Sequence, residues 1–316
     1  MTFQFKPALR EQVALLIGLA GSSGSGKTFS AMRLASGIAD GKPFAVIDTE
    51  AGRAKHYADQ FKFDHGDLKP PFRPDAYAEA IHAADKAGYP VIIVDSMSHV
   101  WAGDGGVLDW HEDELDRMAG DDWKKREAVK MAAWIKPKMG HKAMVQKLLQ
   151  VRAHLILCFR AEEKIEMVRG DDGKMKIIPK VSPTGLHGWM PVCEKNLPYE
   201  LTCSFLLTAD APGMPKPIKL QEQHKAMFPL SEPISEGSGK RVAEWAAGGK
   251  PQVKQKANGA VDTSKVIAAF RSIGIDQHTV EGFMSKPIAD WTDEDIETAR
   301  EVYVSKREEA RNQEVI

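Results

Sequence analysis

Five short apolar runs divide the chain at intervals that leave room for helices between them. They are residues 13–20 (VALLIGLA), 43–49 (PFAVIDT), 90–95 (PVIIVD), 154–159 (HLILCF) and 201–208 (LTCSFLLT). Runs apolar at successive positions suit strands buried on both faces of a parallel sheet, where neither face meets water and alternation is lost. Over residues 27–39, Phe29, Met32, Ala35 and Ile38 recur at helical spacing. Residues 101–152, between the third and fourth runs, are charged and read as helical. Strands alternating with helices predict an α/β fold with a mostly parallel sheet flanked by helices.

Beyond the fourth run the pattern changes twice. Residues 164–179 (KIEMVRGDDGKMKIIP) read as two short strands around an Asp-Asp-Gly turn, a hairpin. From about residue 230 the chain is rich in Gly, Ser, Lys and Pro, a flexible-linker composition expected over 231–262. Helical spacing returns after it, with Val266, Ile267, Phe270 and Ile273 on one stripe. Thr292 followed by Asp295 is a capping-box signal before the last helix. The expected organisation is a core over 1–230, the linker, and a small helical module over 263–316.

Composition narrows the class. The 316 residues are 43% hydrophobic and 28% charged with a formal net charge of -1, so no global basic footprint marks a nucleic-acid binder. Cys158, Cys193 and Cys203 have no metal-ligand spacing, which fits thiols in a reducing compartment. Residues 1–12 carry no apolar signal core, and no stretch approaches the roughly 18 apolar residues of a membrane span. A cytoplasmic protein with no membrane contact is the expectation.

The chemistry starts between the first strand and the first helix. Residues 21–28, GSSGSGKT, fit G-x-x-x-x-G-K-[ST] at every fixed position, in the strand–loop–helix context that gives this motif its meaning. Gly21, Ser22, Ser23, Gly24, Ser25 and Gly26 would turn backbone N–H groups and a helix N-terminus onto phosphates, with Phe29 just beyond. Lys27 would reach the β- and γ-phosphate oxygens, and the Thr28 hydroxyl would ligate Mg²⁺. Asp95, delivered to the end of PVIIVD, has the position of a carboxylate that holds the same cation. ATP and Mg²⁺ are the expected ligands.

Residues 44–53, FAVIDTEAGR, carry two more carboxylates, Asp48 and Glu50. Here the sequence resembles the RecA-like recombinase ATPases, and more narrowly the short phage-encoded ones that accompany single-strand annealing and recombination. The likeness rests on the phosphate loop, the Asp-Thr-Glu stretch and VIIVDS, and extends over about residues 10–210. It implies a hydrolytic role for Glu50, orienting the water that attacks the γ-phosphate, with Asp48 the competing candidate. The tail is also similar to a small helical module appended to phage recombination and replication proteins, which implies a docking site for a protein partner. A homo-oligomer acting on single-stranded DNA is implied too.

The same resemblance implies DNA-holding loops after the third and fourth strands. Residues 121–150 hold eight basic side chains against three acidic ones. Lys124, Lys125, Arg126, Lys136 and Lys138 are candidate DNA contacts, interleaved with Trp123 and Trp134 as a stacking platform would need. An amphipathic helix with a solvated lysine face and inward tryptophans fits equally well. The acidic stretch 104–116 cannot face a phosphate backbone. Arg160, where RecA-like proteins commonly place a glutamine-type sensor, and Lys176 and Lys180 of the hairpin are candidate sensor or trans-acting residues. A helicase or helicase loader shares the same ATP residues, and a small-molecule kinase is the alternative from another class. A switch GTPase would need an N-K-x-D element, and none is present.

Overall fold

The computed structural model describes residues 13–169, 173–181, 188–248 and 263–313. The chain divides into two compact units, Met1–Gly249 and Lys250–Ile316.

In the larger unit, β1 (Leu16–Gly21) runs into the phosphate loop and α1 (Lys27–Ala39), followed by β2 (Phe44–Asp48). An edge strand, β3 (Phe63–Asp67), precedes α2 (Pro74–Lys86) and β4 (Val91–Asp95). Four helices fill the next connection: α3 (His99–Ala102), α4 (Val107–Ala119), α5 (Trp123–Ala133) and α6 (Ile135–Leu148). They lead into the long strand β5 (His154–Glu163) and the hairpin β6 (Ile165–Arg169) and β7 (Met175–Pro179), whose expected turn at 170–172 lies outside the described residues. The unit ends with β8 (Trp189–Pro191), α7 (Leu197–Glu200), β9 (Cys203–Thr208), β10 (Ala211–Lys219) and α8 (Glu236–Ala246).

Among the described residues, eight strands form one sheet in the order β10-β9-β1-β5-β4-β2-β3, with β8 paired to β5. Pairings from β9 to β3 are parallel, and only β10 and β8 run antiparallel. The apolar runs form the five central strands, fully buried over β1, β2, β4 and β9. Alternate residues serve opposite cores. Ile17, Leu19, Val46, Ile93, Ile156 and Phe205 pack against α1 and α8. Ala45, Ile47, Ile92, Val94, Leu155 and Leu157 pack under α2 and α6. Burying both faces explains why the runs lack polar alternation.

The linker expected over 231–262 does not begin at 231. Residues 236–246 are α8, and its Gly239 is a contact surface rather than a flexible joint. A Cβ on Gly37 of α1 would lie 2.1 Å from the Glu236 carbonyl oxygen, and one on Gly239 would lie 2.2 Å from the Leu34 carbonyl oxygen. Only side-chain-free positions let the two backbones come this close. Arg33 donates from Nε and Nη2 to the Glu236 carboxylate at 2.7–3.0 Å, fastening the same crossing. Of the expected linker, 249–262 lies outside the described residues.

The smaller unit contains α9 (Ser264–Ser272), α10 (Gln277–Met284) and α11 (Asp293–Gln313) around Val266, Ile267, Phe270, Val280, Trp291, Ile296 and Ala299. The capping box forms: Asp295 Oδ2 accepts from Thr292 N at 2.6 Å, and Asp295 N donates to Thr292 Oγ1 at 3.4 Å.

Candidate functional site

Strand order assembles the site. Because β5 lies between β1 and β4, the carboxyl ends of the central strands bring Gly21 level with Arg160, and Asp95 level with both Cys158 and Asp48. A cavity of about 570 Å³ opens on this edge. Gly21, Ser22, Ser23, Gly24, Gly26, Lys27, Thr28 and Phe29 line one side, facing Glu50, Arg53, Tyr57, Asp95, Ser96, Arg160 and Glu162.

The phosphate loop takes the backbone its glycines allow. Gly24 and Gly26 have φ of 77° and 80°, left-handed values that side chains resist. No side chain caps α1 and no acidic residue of its own sits in its first turn, so its leading N–H groups carry no capping acceptor from the helix itself. Ser25 packs within the loop. Its side chain is fully buried and donates to Ser22 O at 2.8 Å, so it shapes the loop from inside and offers only backbone to a ligand.

Lys27 Nζ donates to Gly21 O at 2.9 Å and Ser22 O at 2.7 Å. Burial pushes this ammonium below the ordinary lysine range, while Asp95 and Glu50 act in the opposite direction. Thr28 Oγ1 donates to Asp95 Oδ2 at 2.5 Å. Burial raises the Asp95 carboxyl above its ordinary value, against that hydrogen bond. A hydroxyl and a carboxylate side by side form a hard-oxygen donor pair of the kind Mg²⁺ takes. Among the described residues no group of three or more His, Cys, Asp or Glu is placed to hold a metal. A cation at Thr28 and Asp95 would therefore complete its shell with phosphate and water oxygens.

Asp48 and Glu50, alternatives in sequence, sit in different settings. Asp48 is 1% exposed; its Oδ1 accepts from Glu50 N at 2.6 Å, its Oδ2 from Ala54 N at 2.9 Å, and His65 Nε2 lies 3.2 Å from Oδ2. It holds the turn after β2. Glu50 lines the cavity, and its Oε1 accepts from Arg160 Nε at 3.1 Å and Nη2 at 2.7 Å. Arg53 lies 3.4 Å from its other oxygen. His99 Nε2 stands 3.7 Å from Oε1, while its Nδ1 meets Thr49 Oγ1 at 2.8 Å. Burial, with Arg160 adding to it and Glu50 opposing it, lowers the His99 pKa. Thr49 also ties this turn to β4, accepting from Ser96 N at 2.8 Å.

A family model for an AAA domain matches residues 14–189, more than half of the chain. The chain belongs to the AAA-domain family. It therefore contains a P-loop NTPase domain, of a kind that generally binds ATP with Mg²⁺, and the match runs from β1 to the start of β8. A comparison with curated proteins returns no match.

Other expected site residues of this AAA domain lie elsewhere. Arg126 is paired with Asp116 and with Glu112 at 2.8 Å, and Lys136 with Glu114 at 3.1 Å. The acidic helix α4 lies against the basic segment, and both of these candidate DNA contacts are engaged in ion pairs with it. Trp134 stacks on His111 at 4.0 Å and Trp101 at 6.0 Å, inside the helical layer rather than on a platform. Lys124, Lys125 and Lys138 are exposed, as is Trp123 at 71%. Lys176 and Lys180 are exposed on the hairpin and do not line the cavity. No described helix is long and apolar enough to cross a membrane.

The sequence reading missed Arg53, Tyr57 and His99. Arg53 and His99 lie three and four residues beyond Glu50 and Asp95, close enough in sequence to have been flagged. Tyr57 comes to the cavity through its 5.8 Å ring contact with Phe29, which no local pattern announces.

Proposed function

We propose that the protein is a Mg²⁺-dependent ATP hydrolase of RecA-like type that couples ATP to the handling of single-stranded DNA, in phage recombination or replication. The observation that carries the hydrolytic part is Glu50, a carboxylate on the wall of the phosphate-loop cavity opposite Lys27. The loop amides and Lys27 would hold the phosphates, and Thr28 and Asp95 would hold a Mg²⁺ ion whose charge would offset theirs. Glu50 accepts a hydrogen bond from the attacking water, whose oxygen bonds to the γ-phosphorus as the bond to the β–γ bridging oxygen breaks; ADP leaves on that oxygen, and the water's proton passes by way of Glu50 to the departing phosphate.

The DNA part rests on a narrower surface than the sequence suggested. Trp123 presents an exposed ring with the Lys124 ammonium 5.6 Å from its centre and Lys125 beside it. An exposed aromatic among lysines is the pairing that stacks a base and neutralises its phosphate. The protein works as a homo-oligomer in the cytoplasm, and the helical module docks a protein partner.

ATP turnover measured with and without single-stranded oligonucleotide, across a range of salt, tests this reading. Stimulation that weakens with salt is expected, and it should be lost in Trp123→Ala/Lys124→Ala while basal turnover persists. No stimulation at any salt, with γ-phosphate passed to a small molecule, would make the protein a kinase. Directional strand displacement would make it a helicase.

A further inference from the structure

His99 lies next to Glu50 without lining the cavity itself. Its side chain is 14% exposed, and its ring stacks on Phe72 with centres 5.1 Å and planes 25° apart. A ring clamped in this way has little freedom to turn, so the direction in which each nitrogen points matters.

Counting protons settles which nitrogen carries one. Thr49 Oγ1 has a single proton and three neighbours. It accepts from Ser96 N at 2.8 Å, and it lies 3.1 Å from Ser96 O and 2.8 Å from His99 Nδ1. Ser96 O is already served by the buried Tyr77 hydroxyl, which donates to it at 3.1 Å. The Thr49 proton therefore goes to Nδ1, the nearer acceptor. Burial and Arg160 outweigh Glu50 and the Thr49 backbone and hold the His99 pKa below its ordinary 6.5, so above pH 7 the ring carries one proton. That proton is on Nε2, which stands 3.7 Å from Glu50 Oε1. The opposite tautomer would aim a lone pair at a carboxylate. The distance exceeds a hydrogen bond, but catalytic hydrogen bonds often stand long and tighten once substrate is in place.

We propose that His99 is a positioning residue for hydrolysis: held by Thr49 as its Nε2–H tautomer, it donates to Glu50 Oε1 and leaves the other carboxylate oxygen to the attacking water. This rests on the reading of Glu50 as the group that orients that water. The other neighbours of the carboxylate are poorly suited to the task. Arg160 and Arg53, on Oε1 and Oε2, have side chains 52% and 75% exposed, and ion pairs this open to solvent are weakly held. The stacked imidazole keeps its place when either guanidinium moves.

The test is steady-state ATP turnover of the full chain with Mg²⁺, separating kcat from KM. The amide nitrogen of glutamine can take the place of imidazole Nε2, whereas asparagine reaches only as far as Nδ1. His99→Asn should lower kcat by about tenfold or more and change KM by less than about twofold. His99→Gln should recover kcat to within about threefold of wild type. Because His99 acts through Glu50, adding His99→Asn to Glu50→Gln should cost less than about twofold further. Both single variants remove the stacked ring, so a purely structural role predicts equal losses in them. Such equal losses, an unchanged kcat in His99→Asn, a loss carried by KM, or a full further loss on top of Glu50→Gln would overturn the inference while leaving Glu50 in its role. Wild-type turnover in Glu50→Gln alone would overturn the reading of Glu50, and the inference with it.

Discussion

Replacing Asp48 by Asn separates a structural carboxylate from a chemical one. Asp48 is buried, and its two oxygens serve Glu50 N, Ala54 N and His65 Nε2 at 2.6, 2.9 and 3.2 Å. Asparagine has the same shape with one acceptor oxygen, so either orientation turns an NH2 group toward a backbone N–H. At least one charge-assisted bond is lost and one buried donor is left facing another, together worth about 2–4 kcal/mol. For a unit of this size that is a fall in Tm of about 4–16 °C. Thermal unfolding followed by circular dichroism reads the shift. ATP turnover measured well below the transition should fall less than about tenfold, because Glu50 stays on the cavity wall. An Asp48→Asn protein with unchanged Tm and turnover reduced a hundredfold or more would refute the reasoning and move the catalytic carboxylate to Asp48.

Lys27→Ala should abolish ATP binding in calorimetry, and unchanged affinity would refute the loop assignment. Gly37→Ala places a Cβ 2.1 Å from the Glu236 carbonyl, so it should destabilise by about 1–3 kcal/mol despite alanine's better helix propensity. A raised Tm would contradict the close crossing of α1 and α8. His154, whose Nδ1 accepts from Leu15 N at 3.2 Å, is held down by burial to a pKa of about 4 against an ordinary 6.5. A depressed histidine contributes stability that is whole above 6.5 and lost as pH falls toward 4, about 2 kcal/mol by pH 5. His154→Asn keeps the acceptor without the titration, so its Tm should fall less than wild type between pH 7 and pH 5; equal falls would contradict the assignment.

The buried parallel strands were legible because double-sided burial leaves an unbroken apolar run, as in VIIVD of β4. Strands at the margins were not. β3 is FDHGD, mostly polar because it lies at the sheet edge, and β10 carries three prolines, tolerated where an antiparallel strand has one unpaired side. α8 was read as linker because glycine and serine signal flexibility in sequence, whereas Gly239 meets the backbone of α1. The phosphate loop was legible as a local pattern. The Arg160–Glu50 pair was not, since 110 residues separate its members and only the insertion of β5 between β1 and β4 joins them. Charge counting over residues 121–150 could not show, for a related reason, that Arg126 and Lys136 pair with acidic residues of α4.

The most direct test is the ATP turnover of Glu50→Gln, measured beside its ATP affinity in the full chain with Mg²⁺. The account predicts nucleotide binding at least as tight as wild type, with turnover lowered by about 10²-fold or more. Turnover equal to wild type with ATP bound would contradict it.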